Sequence, residues 1–122
     1  MTYKDIHVRF VVQDKQRYAT LGDYWETTDA MVFTITRLSG LRSLYVLIHE
    51  LWECYLTLRN GITEESISEF DISHPELDDP GLDPRAPYHA EHMQSDVLER
   101  ACCVMAGDDW VEYEKECEEI FE

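Results

Sequence analysis

His49, Glu50 and Glu53 stand in the middle of an otherwise apolar run, Val46-Leu47-Ile48-His49-Glu50-Leu51-Trp52-Glu53-Cys54. If that run is helical, His49 and Glu53 are four residues apart and share a face, with Glu50 about 100° round from His49. Ionisable groups buried in such a helix need a partner or a metal ion to offset their desolvation. An imidazole nitrogen and a carboxylate oxygen on one face can ligate a divalent cation, and an adjacent carboxylate can serve as general base for a hydrolysis. A second set, His92, Asp96 and Glu99, falls at helical spacing later in the chain, with His92 and Glu99 seven apart and nearly eclipsed. Antiparallel packing of the two helices would let His49, Glu53, His92 and Glu99 surround one cation, with Glu99 as fourth ligand or as a partner behind the ligands. The plain alternative for His49 and Glu53 is a buried hydrogen bond completed by a salt bridge to Arg42 or Arg59. For His92, Asp96 and Glu99 it is a solvated polar stripe.

His49-Glu50-x-x-Glu53 resembles the metal-binding helix of the zincin-like metallopeptidases. Matched position by position, that resemblance implies His49 as first ligand, Glu50 as catalytic base, and Glu53 in place of the second histidine. It implies zinc first, while the extra carboxylate also suits manganese, magnesium or iron. It spans residues 31–58 and implies a peptide substrate pairing with an edge strand. Over most of its length the chain also resembles small phage and bacterial proteins with an H-E-x-x-E helix, a G-I turn and a later H…E-R helix. Here these are His49 to Glu53, Gly61-Ile62, and His92 with Glu99-Arg100. That likeness implies phage or mobile-element origin and no established activity.

The 26 acidic against 10 basic residues of the 122-residue chain give a formal charge of −16. Such a charge disfavours direct binding to nucleic acid or an anionic membrane. It suits a cation site, a basic protein partner, or plain solubility. The second reading is therefore a non-enzymatic acidic interaction or inhibitor protein, binding a basic host surface or mimicking nucleic acid. Cys54, Cys102, Cys103 and Cys117 form no C-x-x-C pair, and the start does not resemble a signal peptide. Reduced, core-packed cysteines and a cytoplasmic location are expected, in the host cytoplasm if phage-encoded. Oligomerisation is left open.

The elements that must position these residues follow from periodicity. Ile6, Val8, Phe10 and Val12 alternate as in a strand, Arg17–Leu21 reads as a short returning strand broken by Gly22-Asp23, and Met31–Thr36 is rich in β-branched residues. Ser39 is the expected cap of a helix over Leu41–Arg59, with Leu44, Leu47, Ile48, Leu51, Tyr55 and Leu58 as its apolar stripe. Thr63-Glu64-Glu65 starts a short helix toward Phe70, and four prolines mark residues 71–87 as a loop. A second long helix over Tyr88–Ala106 has Ala90, Met93, Val97, Ala101, Val104 and Met105 as its expected core face. Asp109-x-x-Glu112 resembles a capping box for a last, shorter helix. The fold class is α+β in a single domain: a small N-terminal antiparallel sheet of three or four strands, then two long helices and a shorter C-terminal one, a minimal zincin-like arrangement.

No phosphate-binding glycine loop, G-x-S-x-G or dinucleotide fingerprint is present. A bridged di-iron bundle needs Glu-x-x-His, which neither His49 nor His92 supplies. Glu50-x-x-Glu53 matches half the magnesium motif of the all-helical nucleotide pyrophosphohydrolases, a further alternative that the strand-rich N-terminus disfavours. The expected function is hydrolysis of an amide or phosphoester by a divalent-metal enzyme, acting on a peptide or small-molecule substrate, with peptide favoured only by the zincin resemblance.

Overall fold

The computed structural model describes residues 4–122. It is an α+β structure in which a three-stranded sheet is followed by four α-helices. The strands are β1 (Asp5–Val11), β2 (Gly22–Glu26) and β3 (Ala30–Thr36), in the order β1-β3-β2. The helices are α1 (Ser43–Arg59), α2 (Glu64–Ser73), α3 (His89–Met105) and α4 (Trp110–Glu119).

The sheet is mixed, not all antiparallel as expected. β2 and β3 form a hairpin, but β1 runs parallel to β3, with Val8 opposite Phe33 and Phe10 opposite Ile35. The connection between β1 and β2 is responsible. The Gln16 amide donates to the Thr34 carbonyl at 3.0 Å, while Thr34 Oγ1 donates to Gln16 Oε1 at 2.7 Å and Thr36 Oγ1 to Gln13 Oε1 at 3.0 Å. The segment is thereby pinned across β3 and delivers the chain to the far edge, so no strand returns over Arg17–Leu21. Gly22 opens β2 rather than breaking a strand.

α1 also starts differently. Arg42 occupies its N-cap position without a capping side-chain bond, and the Ser43 hydroxyl accepts from the Leu38 amide at 2.8 Å. Ser39 does not cap the helix, because its amide and hydroxyl both donate to Glu116 of α4. The other caps follow the sequence: Thr63 accepts from the Ser66 amide, and Asp109 from the Glu112 amide. α2 runs to Ser73, three residues beyond the expected stop.

Phe33, Ile35, Val46, Cys103 and Tyr113 lie in the core between sheet and helices. α1 and α3 are antiparallel: Arg42, before α1, meets Asp108, just past α3, and Asn60, past α1, donates to Glu91 near the start of α3 at 2.7 Å. The faces they turn inward are not the apolar ones. α1 buries Val46, His49, Glu53 and Thr57 while Leu44, Tyr55 and Leu58 are exposed; α3 buries Glu91, His92, Ser95 and Cys103 while Met93, Val97, Val104 and Met105 are exposed. The expected core stripes are therefore corrected on both helices, although Leu47 and Leu51 still pack partly against the core. All four cysteines are free. No helix among the described residues is long and apolar enough to cross a membrane.

Candidate metal centre

The inward faces of α1 and α3 bring His49, Glu53 and His92 into one buried cluster. His49 Nε2 lies 3.0 Å from Glu53 Oε2 and 3.1 Å from His92 Nδ1, and His92 Nδ1 is 2.8 Å from the same Glu53 oxygen. Protons alone cannot join all three edges of this triangle. Each ring nitrogen carries at most one hydrogen; with both aimed at Glu53, the nitrogen–nitrogen edge is left as a repulsive contact. A cation above the triangle satisfies all three atoms at once. Edges near 3.0 Å match one face of an octahedron with bonds of about 2.1 Å, and are slightly tighter than a tetrahedral zinc site with similar bonds.

The other ring nitrogens both face carboxylates, the kind of group that backs metal-ligating histidines, and His92 Nε2 is hydrogen-bonded to one of them, Asp79. His92 Nε2 is 3.2 Å from Asp79 and 3.5 Å from Asp96. His49 Nδ1 is 2.7 Å from Glu99 and 3.2 Å from Asp96, yet neither carboxylate is aligned to accept a hydrogen bond, which leaves this buried atom unsatisfied. Glu99 thus stands behind His49, on the ring nitrogen away from the triangle. The structure brings together His49, Glu53 and His92 as one donor set and places Glu99 as a partner of the His49 ring.

Four tyrosines hold the surrounding carboxylates. Tyr24 donates to Glu53 Oε1 at 3.2 Å, Tyr113 to Glu99 at 2.6 Å, and Tyr88 and Tyr18 to Asp71 at 2.6 and 3.1 Å. None of these was marked by sequence spacing, since each reaches in from a different element. Asp79 comes from the proline-rich loop, and no sequence spacing tied it to the two helices. Arg42, a candidate partner for Glu53, instead pairs with Asp108 and Glu116. Of the other histidines, His7 is exposed on β1, His74 Nδ1 lies 2.8 Å from the Phe70 carbonyl, and His89 Nδ1 lies 2.9 Å from the Gly81 carbonyl.

Charges in the cluster are strongly coupled. Burial alone would lower the His49 pKa, but Asp96, Glu53 and Glu99 hold it well above the ordinary histidine value. Burial likewise opposes the charge on His92, and Asp79 and Glu53 overcome it. Burial alone would raise Glu53, but the two imidazoles hold its carboxyl below the usual range. Glu50 behaves oppositely, pushed up first by burial and then by the Glu53 charge. Asp71 is raised to about 6, again chiefly by burial, against the lowering effect of Tyr88 and Tyr18.

Glu50 lines the same cleft as the triangle, with its side chain against Gly22 at the start of β2. A Cβ at Gly22 would lie 2.4 Å from Glu50 Cγ, and one at Gly81 would lie 2.3 Å from His92 Cγ. Both glycines let backbone close directly onto the cluster. The resulting cleft encloses about 1230 Å³. Comparison with protein-family models, with curated proteins and with solved structures gives no match.

Proposed function

We propose that this chain is a divalent-metal-dependent hydrolase acting on amides, with His49, Glu53 and His92 as metal ligands and Glu50 as general base. The observation that carries this reading is the buried triangle of two imidazole nitrogens and one carboxylate oxygen, which protons cannot fully satisfy. A bound zinc, manganese, magnesium or iron ion would supply Lewis acidity toward a carbonyl oxygen and acidify a water. Glu50, one residue from His49 and at the cleft wall, would take a proton from the attacking water and return it to the departing amine. Water would add to the carbonyl carbon, forming the C–O bond, and the C–N bond would then break as the amine takes up the proton, giving a carboxylic acid and an amine. Asp79 would fix the orientation of His92 from behind through its hydrogen bond, while Glu99 would oppose the charge of the His49 ring from its far side. A strand-then-helix order, with β2 as the edge beside the cleft, supports a distant zincin-like arrangement as part of the proposal.

Protein purified without a metal-affinity step should carry close to one equivalent of a divalent metal by elemental analysis. Glu50→Gln should keep that metal and lower amide hydrolysis by about 10²–10⁴-fold. Full activity in that variant removes Glu50 as the base, and a chain that takes up no metal on reconstitution removes the centre. The strongly acidic surface favours the second reading, a non-enzymatic interaction protein. Under it, binding to a basic partner would survive Glu50→Gln unchanged.

A further inference from the structure

We infer that the cleft selects a substrate whose scissile amide lies beside a positive charge, either a lysine- or arginine-bearing peptide or an acylated polyamine. Twelve of the chain's 26 acidic residues line the cleft, against one of its 10 lysines and arginines. That residue, Arg100, has its guanidinium 5.6 Å from the Trp110 ring centroid. The lining is thus more acidic than the chain as a whole, so the bias is local. One lining side chain is itself buried and unpartnered: His49 is 4% exposed, and its unsatisfied Nδ1 lies 3.2 Å from Asp96 and 2.7 Å from Glu99. A divalent ion in the triangle offsets two negative charges and Arg17 pairs with Asp23, which still leaves most of the lining carboxylates without a cationic partner.

A concave wall of one sign concentrates its field on whatever enters. Phosphate esters and nucleotides would be repelled, while an ammonium or guanidinium group would be drawn in. The volume of about 1230 Å³ exceeds the usual range for a single small ligand and admits several residues of extended chain. Asp78 on the proline-rich loop, and Glu114 and Glu118 on α4, are exposed lining residues with no ion pair among the described residues. They are placed to read a cation without touching the metal ligands. The reaction assigned to such a substrate rests on the proposed hydrolase; the charge selection does not.

The test uses fluorescent N-acetyl peptide amides of equal length, one carrying lysines and one carrying glutamates, together with a labelled N-acetylspermine. Binding is measured to protein of known metal content and to metal-stripped protein. At low salt, about 50 mM, the lysine peptide should bind at least about tenfold more tightly than the glutamate peptide, and the ratio should shrink toward one near 0.5 M salt. The triple variant Asp78→Asn, Glu114→Gln, Glu118→Gln should cut that ratio about threefold or more at unchanged metal content. Tighter binding of N-acetylspermine than of the lysine peptide assigns the polyamine source, and the reverse order assigns peptide. A ratio near one at low salt in the wild type, or an unchanged ratio in the triple variant, overturns the inference. Metal binding without charge preference sinks only the substrate class, whereas charge preference in a chain that takes up no metal sinks only the hydrolase.

Discussion

Two of the five glycines carry the site, and they differ physically from the other three. Gly40, Gly61 and Gly107 have φ values of 57°, 72° and 75°, and a Cβ at any of them would meet nothing. They serve backbone turns, with Gly61 following α1 and Gly107 following α3. Gly22 and Gly81 lack positive φ but abut Glu50 and His92. Gly81→Ala should therefore displace the His92 ring and weaken metal binding by about 10–100-fold, as loss of ligand support generally does. Gly61→Ala should leave metal affinity unchanged and lower stability by about 1 kcal/mol, because alanine is strained at positive φ. Metal titration and denaturant melts of both variants separate the two roles; equal metal affinities would show that Gly81 does not hold the ring.

Elements were legible where a local rule governs, whereas the meeting of the two ionisable helix faces could be stated only as a consequence of antiparallel packing that no spacing fixed. The caps at Thr63 and Asp109 depend on a few neighbouring atoms and stand as read. The periodicity of α1 and α3 correctly gave two helices with one apolar and one ionisable face each. It then placed the apolar faces inside, because hydrophobic burial ordinarily dominates. Here His49 and Glu53 meet His92 and the carboxylates behind it, so residues such as Tyr55 and Val97 are left outside, 50% and 71% exposed. Nor could spacing show that Arg42 ties the start of α1 to the α3–α4 junction, bonded through both Nε and Nη2 to Asp108 and through Nη1 to Glu116. Hydrogen bonds from Arg42 hold the Asp108 carboxyl down at about 2. A depressed folded-state value means this contribution is present above the unfolded-state pKa near 3.9 and is lost as pH falls toward 2. Arg42→Met should consequently flatten the dependence of stability on pH between about 4 and 2. Chemical melts at several pH values read this directly, and an unchanged slope would mean the Asp108 pair does not contribute.

At the scale of the whole molecule, turning ionisable faces inward makes stability depend on what neutralises them. Without a divalent ion the cluster holds together through protons on His49 and His92, with Asp79, Asp96 and Glu99 crowded nearby and a net chain charge of −16 opposing compaction. An ion that binds only the folded state adds RT ln(1 + [M]/Kd), about 2.7 kcal/mol at a hundredfold excess over Kd. For a chain of this length that is an upward shift in Tm of about 10 °C. Two effects could produce such a shift. General screening of an acidic surface responds to total ionic strength and is indifferent to Glu53, which is 3% exposed. Ligation at the triangle saturates at low concentration, is reversed by a chelator, and depends on both histidines and Glu53. Thermal melts with micromolar zinc or manganese at constant ionic strength should therefore show a saturating rise in wild type that Glu53→Ala abolishes. An equal rise in that variant would assign the stabilisation to the acidic surface and leave the inward-facing cluster to its protons.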